Sequence, residues 1–457
     1  MSDHLSIAWL AEQLPDRTTR GLALGTTALI RAGAIPVGTR LPAVRDLADA
    51  LGVSPATISS AWAELRKQRV IVGRGRNGAW VNTQHVSPRP IRFETPGNFG
   101  QHLRADLSLA APDPALLPDL ANAFQAGVRA SALNQYERAP IVPALQTRVS
   151  AHWPYAAEAY IAVNGGFSGL HLTLKSLLLT GSAVAVEEPT AARILDNLEH
   201  IGAQILPVAC DAEGPLPDAL AAALTKRPAA FIYQPRTHSV SGVSVSKVRL
   251  ESLRRLLLST DLLIIEDDGL GALSMVPPLS MGSYFPERTL HISSYSKAFG
   301  PDLRVAVLSG PATLVRQIHG YRNFGDRWTS RILQEAVAYL LQDAQALKTV
   351  DHARSVYQQR RRALATALAQ RGVDCATGDG LALWIPMASE PYALVTMAAH
   401  GYAVGAGSRH RMRPGPAHIR VGTSRLSAEI DIHAVADALA LSQAEPGGLI
   451  MDGPQHA

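Results

Sequence analysis

The chain has 457 residues, 47% of them hydrophobic and 18% charged, and carries 43 Lys and Arg against 38 Asp and Glu for a net charge of +5. That length provides for two or three folded domains, and the composition excludes a wholly disordered or fibrous chain. Two cysteines, Cys210 and Cys375, exclude a disulfide framework or a cysteine metal cluster and suit a reducing cytoplasm, while the first residues lack the pattern of a signal peptide or membrane span.

The charge is uneven. Residues 1–80 hold ten Lys and Arg against six Asp and Glu, and the remainder 33 against 32, so an acidic polymer is expected to bind at the front. Leu22, Leu24, Ala28, Leu29 and Ile30 predict a helix between Thr18 and Ala32 that stops at Gly33. Val44, Leu47, Ala48 and Leu51 predict a second, short helix ended by Gly52. Ser54 is a good N-cap, Pro55 suits the first helical position, and Ile58, Trp62 and Leu65 form the buried stripe of a third helix. Ala56, Thr57 and Ser60 are then left outward near its start, the layout of a recognition helix that enters the major groove. The runs VIV and AWV flank Arg74-Gly75-Arg76-Asn77-Gly78, a hairpin signal whose arginines would lie along phosphates or reach into the minor groove.

A helix pair across a glycine turn is common in α proteins, and an Asn-Gly hairpin is usually only a hairpin. In this order, however, Gly33, Gly38, Leu41-Pro42, Arg45, Leu47-Ala48, Leu51 to Ser54, Thr57, Ala61, Leu65 and the Gly75 to Val81 wing resemble the winged helix of the GntR regulators. The resemblance implies operator DNA as a partner, met by Arg45, Ser54, Thr57, Ser60, Arg74, Arg76 and Asn77 in a domain at 15–82. Residues 83–105, rich in Pro, Gly and polar side chains, read as a linker.

From Asp106 short apolar runs alternate with helix-length stretches. YIAV (160–163), AVAVE (183–187), AFIY (230–233) and LLIIED (262–267) predict buried strands of an α/β domain with a mostly parallel sheet, whose ligands gather at the strands' carboxyl ends. Three such ends carry chemistry: Asn164 to Gly169, Gln234 to Gly242, and Glu266-Asp267-Asp268. A fourth stretch, His291 to Arg304, sets Ser293, Ser294 and Ser296 just before Lys297, one of only six lysines, with Arg304 seven residues on. A partly desolvated lysine is a candidate neutral amine for Schiff-base formation, and hydroxyls with a guanidinium suit a phosphate. An isolated S-x-x-K is more often a solvated loop, and glycine turns and strand-terminal acids are common singly. Together, in this order, they resemble the fold type I enzymes that use pyridoxal 5′-phosphate (PLP). Joined to the winged helix, they resemble the MocR subfamily of GntR regulators, in which an aminotransferase-like domain senses its ligand.

That resemblance implies an aminotransferase-like domain at 106–443 and a head-to-tail homodimer. Lys297 would be the Schiff-base lysine and Asp267 the partner of the pyridinium nitrogen. Gly165, Gly166, Phe167, Ser294 and Arg304 would surround the phosphate, Tyr136 would reach the partner subunit's phosphate, and Arg420 would bind an effector carboxylate. Three positions depart from the pattern. The tyrosine that bonds the ring oxygen falls near Gly269, the stacking aromatic falls on Ala191, and the usual amide donor is at best Ser239. The missing contacts, at about 1 kcal/mol each, disfavour efficient transamination. The expected function is a transcription regulator responsive to PLP, a B6 vitamer or a small amino or carboxylate effector, in vitamin B6 or amino-compound metabolism. The alternatives are an aminotransferase with an appended DNA-binding domain, and a cofactor-free dimerisation scaffold.

In the last third, 329–350 and 351–372 predict long helices. Arg360 to Arg362 read as a solvated helix face rather than a second DNA patch. A small α/β subdomain is expected over about 345–443, followed by a frayed tail at 444–457.

Overall fold

In the computed structural model, residues 5–31, 33–73, 78–82, 90, 92, 103–131, 133–136 and 139–443 are described. They fall into two compact units: one built from the first 91 residues with Leu179–Ser182 and Leu198–Gln204, the other from the rest.

The first unit has helices α1 (Ile7–Glu12), α2 (Thr19–Arg31), α3 (Val44–Leu51) and α4 (Pro55–Lys67), then an antiparallel pair of β1 (Ile71–Val72) and β2 (Trp80–Val81). Gly52 ends α3 in the left-handed conformation, where only glycine is unstrained, and the Ser54 hydroxyl caps α4 by accepting from the Thr57 N–H. Leu22, Leu47, Leu51, Ile58, Trp62 and Leu65 form the core, as the spacing predicts. So do Leu10 and Leu14, both buried. They precede the expected boundary at 15, and α1 is too short for its periodicity to stand out. The wing base is tight, since a Cβ on Gly73 would lie 2.4 Å from the Gly78 carbonyl oxygen. Arg74, Arg76 and Asn77, most of the expected linker and the 444–457 tail lie outside the described residues.

The second unit contains β3 (Ala105–Leu107), β4 (Ala159–Val163), β5 (Ala183–Glu188), β6 (Gln204–Asp211), β7 (Gly214–Pro215), β8 (Ala230–Tyr233), β9 (Leu263–Asp268), β10 (Thr289–Ser294), β11 (Ala306–Gly310), β12 (Ala382–Pro386), β13 (Tyr402–Ala406) and β14 (His418–Gly422). The main sheet runs β4-β11-β10-β9-β8-β5-β6-β7. β5, β8, β9 and β10 are parallel, whereas β11 is antiparallel to both neighbours. The four strands predicted from apolar runs all form, within two residues at their ends. β10 did not read as a strand because it buries His291, Ser293 and Ser294, polar groups that need internal partners.

The smaller sheet, β12-β14-β13-β3, packs with helices Ala344–Ala369, Glu390–Ala399 and Ile432–Leu441 around Leu364, Leu383, Ile419, Val421 and Leu439. Its edge strand β3 comes from Ala105–Leu107, far in sequence from the expected subdomain, and Ala105, placed in the linker from composition, is its first residue. A second correction concerns Arg360 and Arg361. Arg361 is buried and donates to the carbonyls of Thr377 and Gly380, while Arg360 bonds Asp113 and the Ser424 carbonyl. They are internal ties, since their planar forks satisfy several buried acceptors at once. No helix among the described residues is long and apolar enough to cross a membrane.

Candidate functional site

β4 ends at Val163 and the chain turns through Asn164 and Gly165 into the helix Gly166–Leu177. Gly165 has φ +96°, and a Cβ there would stand 2.9 Å from Arg304 Nη2. Arg304 donates to the Asn164 carbonyl at 3.1 Å. A Cβ on Gly166 would stand 3.4 Å from the Ser294 Cβ. Gly165, Gly166, Ser294 and Arg304 therefore converge on a cup at a helix N-terminus, where free N–H groups favour an anion. Phe167 is beside it, but its ring lies 4.5 Å under the Arg193 guanidinium, so the backbone is what it offers the cup. The Ser296 hydroxyl is buried with no partner among the described residues.

Lys297 sits on the short helix Ser296–Phe299 directly after β10, and Asp267 on β9. A Cβ on Gly269 would be 3.7 Å from Lys297 Nζ and from both Asp267 carboxyl oxygens. Lysine and acid thus face the same corner, with no phenol between them. Burial pushes the Lys297 pKa down against the pull of Asp267. It pushes Asp267 up, opposed by Lys297 and by the Gln234 amide, which donates to Oδ2 at 2.7 Å.

Gln234 also accepts from the Ser239 N–H and hydroxyl, both at 2.9 Å, so the Ser239 donor is already engaged. Glu187, at the end of β5, accepts from the Gln234 N–H and lies 3.2 Å from His238 Nε2. His238 Nδ1 accepts from the Val240 and Ser241 N–H groups, which leaves the proton on Nε2, toward Glu187. Neither Gln234 nor His238 stood out as a single residue; their signal was their position after a predicted strand.

Arg420, on β14, donates to the Ser239 carbonyl at 2.9 Å, and its Nε is buried with no partner among the described residues. Desolvation lowers its pKa to about 10. A cavity beside Lys297 is lined by Thr237, His238, Ser239, Asp379 and Leu381, among others. Tyr136 is 79% exposed and edge-on to Trp328 at 5.9 Å. No group of His, Cys, Asp and Glu among the described residues could hold a metal ion.

Behind Asp267, alternate residues of β9 face a buried network. Glu266 accepts from Tyr233, Ser280, the Met281 N–H and His291. Asp268 accepts from Arg236 at 3.0 and 2.7 Å. Burial alone would depress His291, but the bonds to Asp268 and Glu266 win and hold it at about 9. The same network keeps Asp268 well below the carboxylate range in spite of its burial. β9 is thus locked in register, which orients Asp267.

In the first unit Arg45 and Ser60 are exposed. Ser54 and Thr57 are hydrogen-bonded to each other at 2.9 Å, so each hydroxyl has a local role. Reading by motif passed over Arg40, whose guanidinium lies 5.5 Å from the Trp80 ring centroid at the wing base.

Residues 106–438 match the family described as aminotransferase class I and II, and residues 26–81 match the bacterial regulatory proteins of the gntR family. The vitamin B6 salvage pathway transcriptional repressor PtsJ of Salmonella typhimurium is 32% identical over 87% of this chain and 92% of its own length. The HTH-type pyridoxine biosynthesis transcriptional regulator PdxR of Corynebacterium glutamicum is 24% identical over 73% of this chain and 75% of its own. Among solved structures, the kynurenine aminotransferase of Pyrococcus horikoshii superposes with a TM-score of 0.68 at 19% identity, covering 75% of this chain and 91% of that one.

Proposed function

The chain belongs to the aminotransferase class I and II family and, with its gntR-family domain, to the MocR subfamily of GntR transcription regulators; from that premise we propose that it binds operator DNA in response to PLP or a related B6 vitamer held at Lys297. One observation carries this: Lys297, Asp267 and the cup of Gly165, Gly166, Ser294 and Arg304 meet in one site of a chain that begins with a winged helix. The names of PtsJ and PdxR support vitamin B6 metabolism as the regulated process.

When bound, PLP supplies an aldehyde open to a neutral amine and a ring that draws electrons. Burial favours the neutral form of Lys297, Asp267 holds a proton at the ring nitrogen, and the cup binds the phosphate through N–H groups, hydroxyl and guanidinium. The orphaned Ser296 hydroxyl, on the residue before the lysine, is a further donor. Arg420, with its unbonded Nε, takes the carboxylate of an amino or carboxylate effector. With Gly269 and Ala191 lacking polar or aromatic side chains and the Ser239 hydroxyl given to Gln234, ring contacts are too few for efficient transamination, which favours sensing. The exposed aromatics Tyr136 and Phe324, at 79% and 90%, suit a homodimer interface in which Tyr136 reaches the second copy.

The test is an absorbance titration with PLP, with and without borohydride, alongside operator binding by fluorescence anisotropy. A visible band fixed by reduction, absent in Lys297→Ala, and a PLP-dependent change in operator affinity are expected. No band in the wild type would refute attachment at Lys297. Turnover of an amino donor would instead favour an aminotransferase with an appended DNA-binding domain.

A further inference from the structure

Thr190 and Ala191 follow β5, at the end of the sheet where Lys297 and Asp267 stand. Ala191 offers a ligand ring no more than a methyl group. Both residues are nevertheless buried, at 1% and 7% exposure. A one-turn segment after β13, Gly407–His410, brings His410 against Thr190. The Thr190 N–H donates to the His410 carbonyl at 3.0 Å, and His410 Nδ1 lies 3.0 Å from the Thr190 carbonyl. A carbonyl only accepts, so Nδ1 carries the proton and Nε2 is a bare acceptor. The clasp continues as the N–H groups of Met412 and Arg413 donate to Glu188 Oε1 at 2.6 and 3.2 Å.

The imidazole plane is set by Trp384, edge-on at 5.8 Å. Arg420, Arg409 and His238 lie around it, and burial first, then Arg420, lowers its pKa to about 3. Arg420 bonds the Ser239 carbonyl, and Ser239 and His238 line the cavity beside Lys297. The ring is therefore held neutral beside Arg420. A neutral imidazole provides a flat π face, which suits an electron-poor pyridine ring.

We infer that His410 contacts the ligand, supplying from the smaller sheet the ring face that Ala191 lacks. The proposal rests on the reading that PLP or a B6 vitamer binds at Lys297. It makes ring contact conditional on the clasp between Gly407–Arg413 and Glu188–Thr190. A ligand that prefers the clasped arrangement then stabilises it by its difference in affinity between the two arrangements.

PLP affinity is measured by absorbance and by tryptophan quenching, to which Trp384 contributes, in the wild-type chain, Lys297→Ala, His410→Ala, His410→Phe and the double variant Ala191→Phe/His410→Ala. His410→Ala is expected to bind about five- to tenfold more weakly, the loss of one aromatic contact. His410→Phe is expected to stay within about twofold, and the double variant to recover, since a ring grown from residue 191 would fill the vacated space. A His410→Ala protein with native circular dichroism and unchanged affinity overturns the proposal alone. If that variant does not fold, a loss beyond tenfold in folded His410→Phe overturns it instead. A wild-type protein that takes up no PLP by either readout overturns the underlying reading and this proposal with it.

Discussion

Gly165→Ala probes the phosphate cup with one methyl group. Gly165 adopts φ +96° and ψ 158°, a conformation that side chains avoid, and the strain should lower stability by about 1–3 kcal/mol. The new Cβ would also meet Arg304 Nη2 at 2.9 Å, where ordinary contact begins at 3.4 Å. Backbone cannot yield there, so the guanidinium must withdraw by about half an ångström or swing away. A charge-assisted hydrogen bond to phosphate is worth about 1.5–3 kcal/mol, so PLP affinity should fall about ten- to a hundredfold. Gly181→Ala is the matched control, because Gly181 has φ +87° with nothing within 4 Å of its Cβ position. It should lose stability and keep PLP affinity. Spectroscopic titration of both variants at one temperature separates the effects. If Gly165→Ala binds within twofold of Gly181→Ala, the cup does not hold the phosphate.

Three further outcomes can be checked. His291 is held at about 9 against an ordinary 6.5, so its stabilising effect is complete below about pH 6.5 and fades as pH rises through 9. The stability gap between wild type and His291→Gln, at most about 3 kcal/mol, should therefore narrow over that range in urea unfolding; a constant gap refutes the charged imidazole. Arg420→Gln should abolish the effect of carboxylate effectors on operator binding while PLP uptake persists, as read by anisotropy and absorbance together. Leu10→Ala removes a fully buried side chain from the first unit and should cost about 2–5 kcal/mol, seen as a lower melting temperature and loss of operator binding on warming.

Much of this arrangement was legible because local chemistry and tertiary role coincide. Gly52, Ser54 and Pro55 declare a helix end and the next helix start, and both formed as read. The apolar strands declare themselves, and residues after them fall at the site. β10 and β3 escaped because their stability is non-local: His291 is tolerable only against Glu266 and Asp268, and Ala105–Leu107 become a strand only by pairing with Tyr402–Val404. His410 escaped for a similar reason. Nothing in Ser408-Arg409-His410-Arg411 marks one ring for burial, and only the fold brings it to Thr190, 220 residues away. Arg361 shows the opposite failure, since a run of arginines advertises solvent and this one is spent on carbonyls.

The edge strand β3 also fastens the first described residues after the expected linker to the smaller sheet. Arg104 and Ala105 bond the Gly401 carbonyl, and the next residues zip onto β13 beside the strand that carries Arg420. The chain thus arrives at the smaller sheet before it enters the larger one.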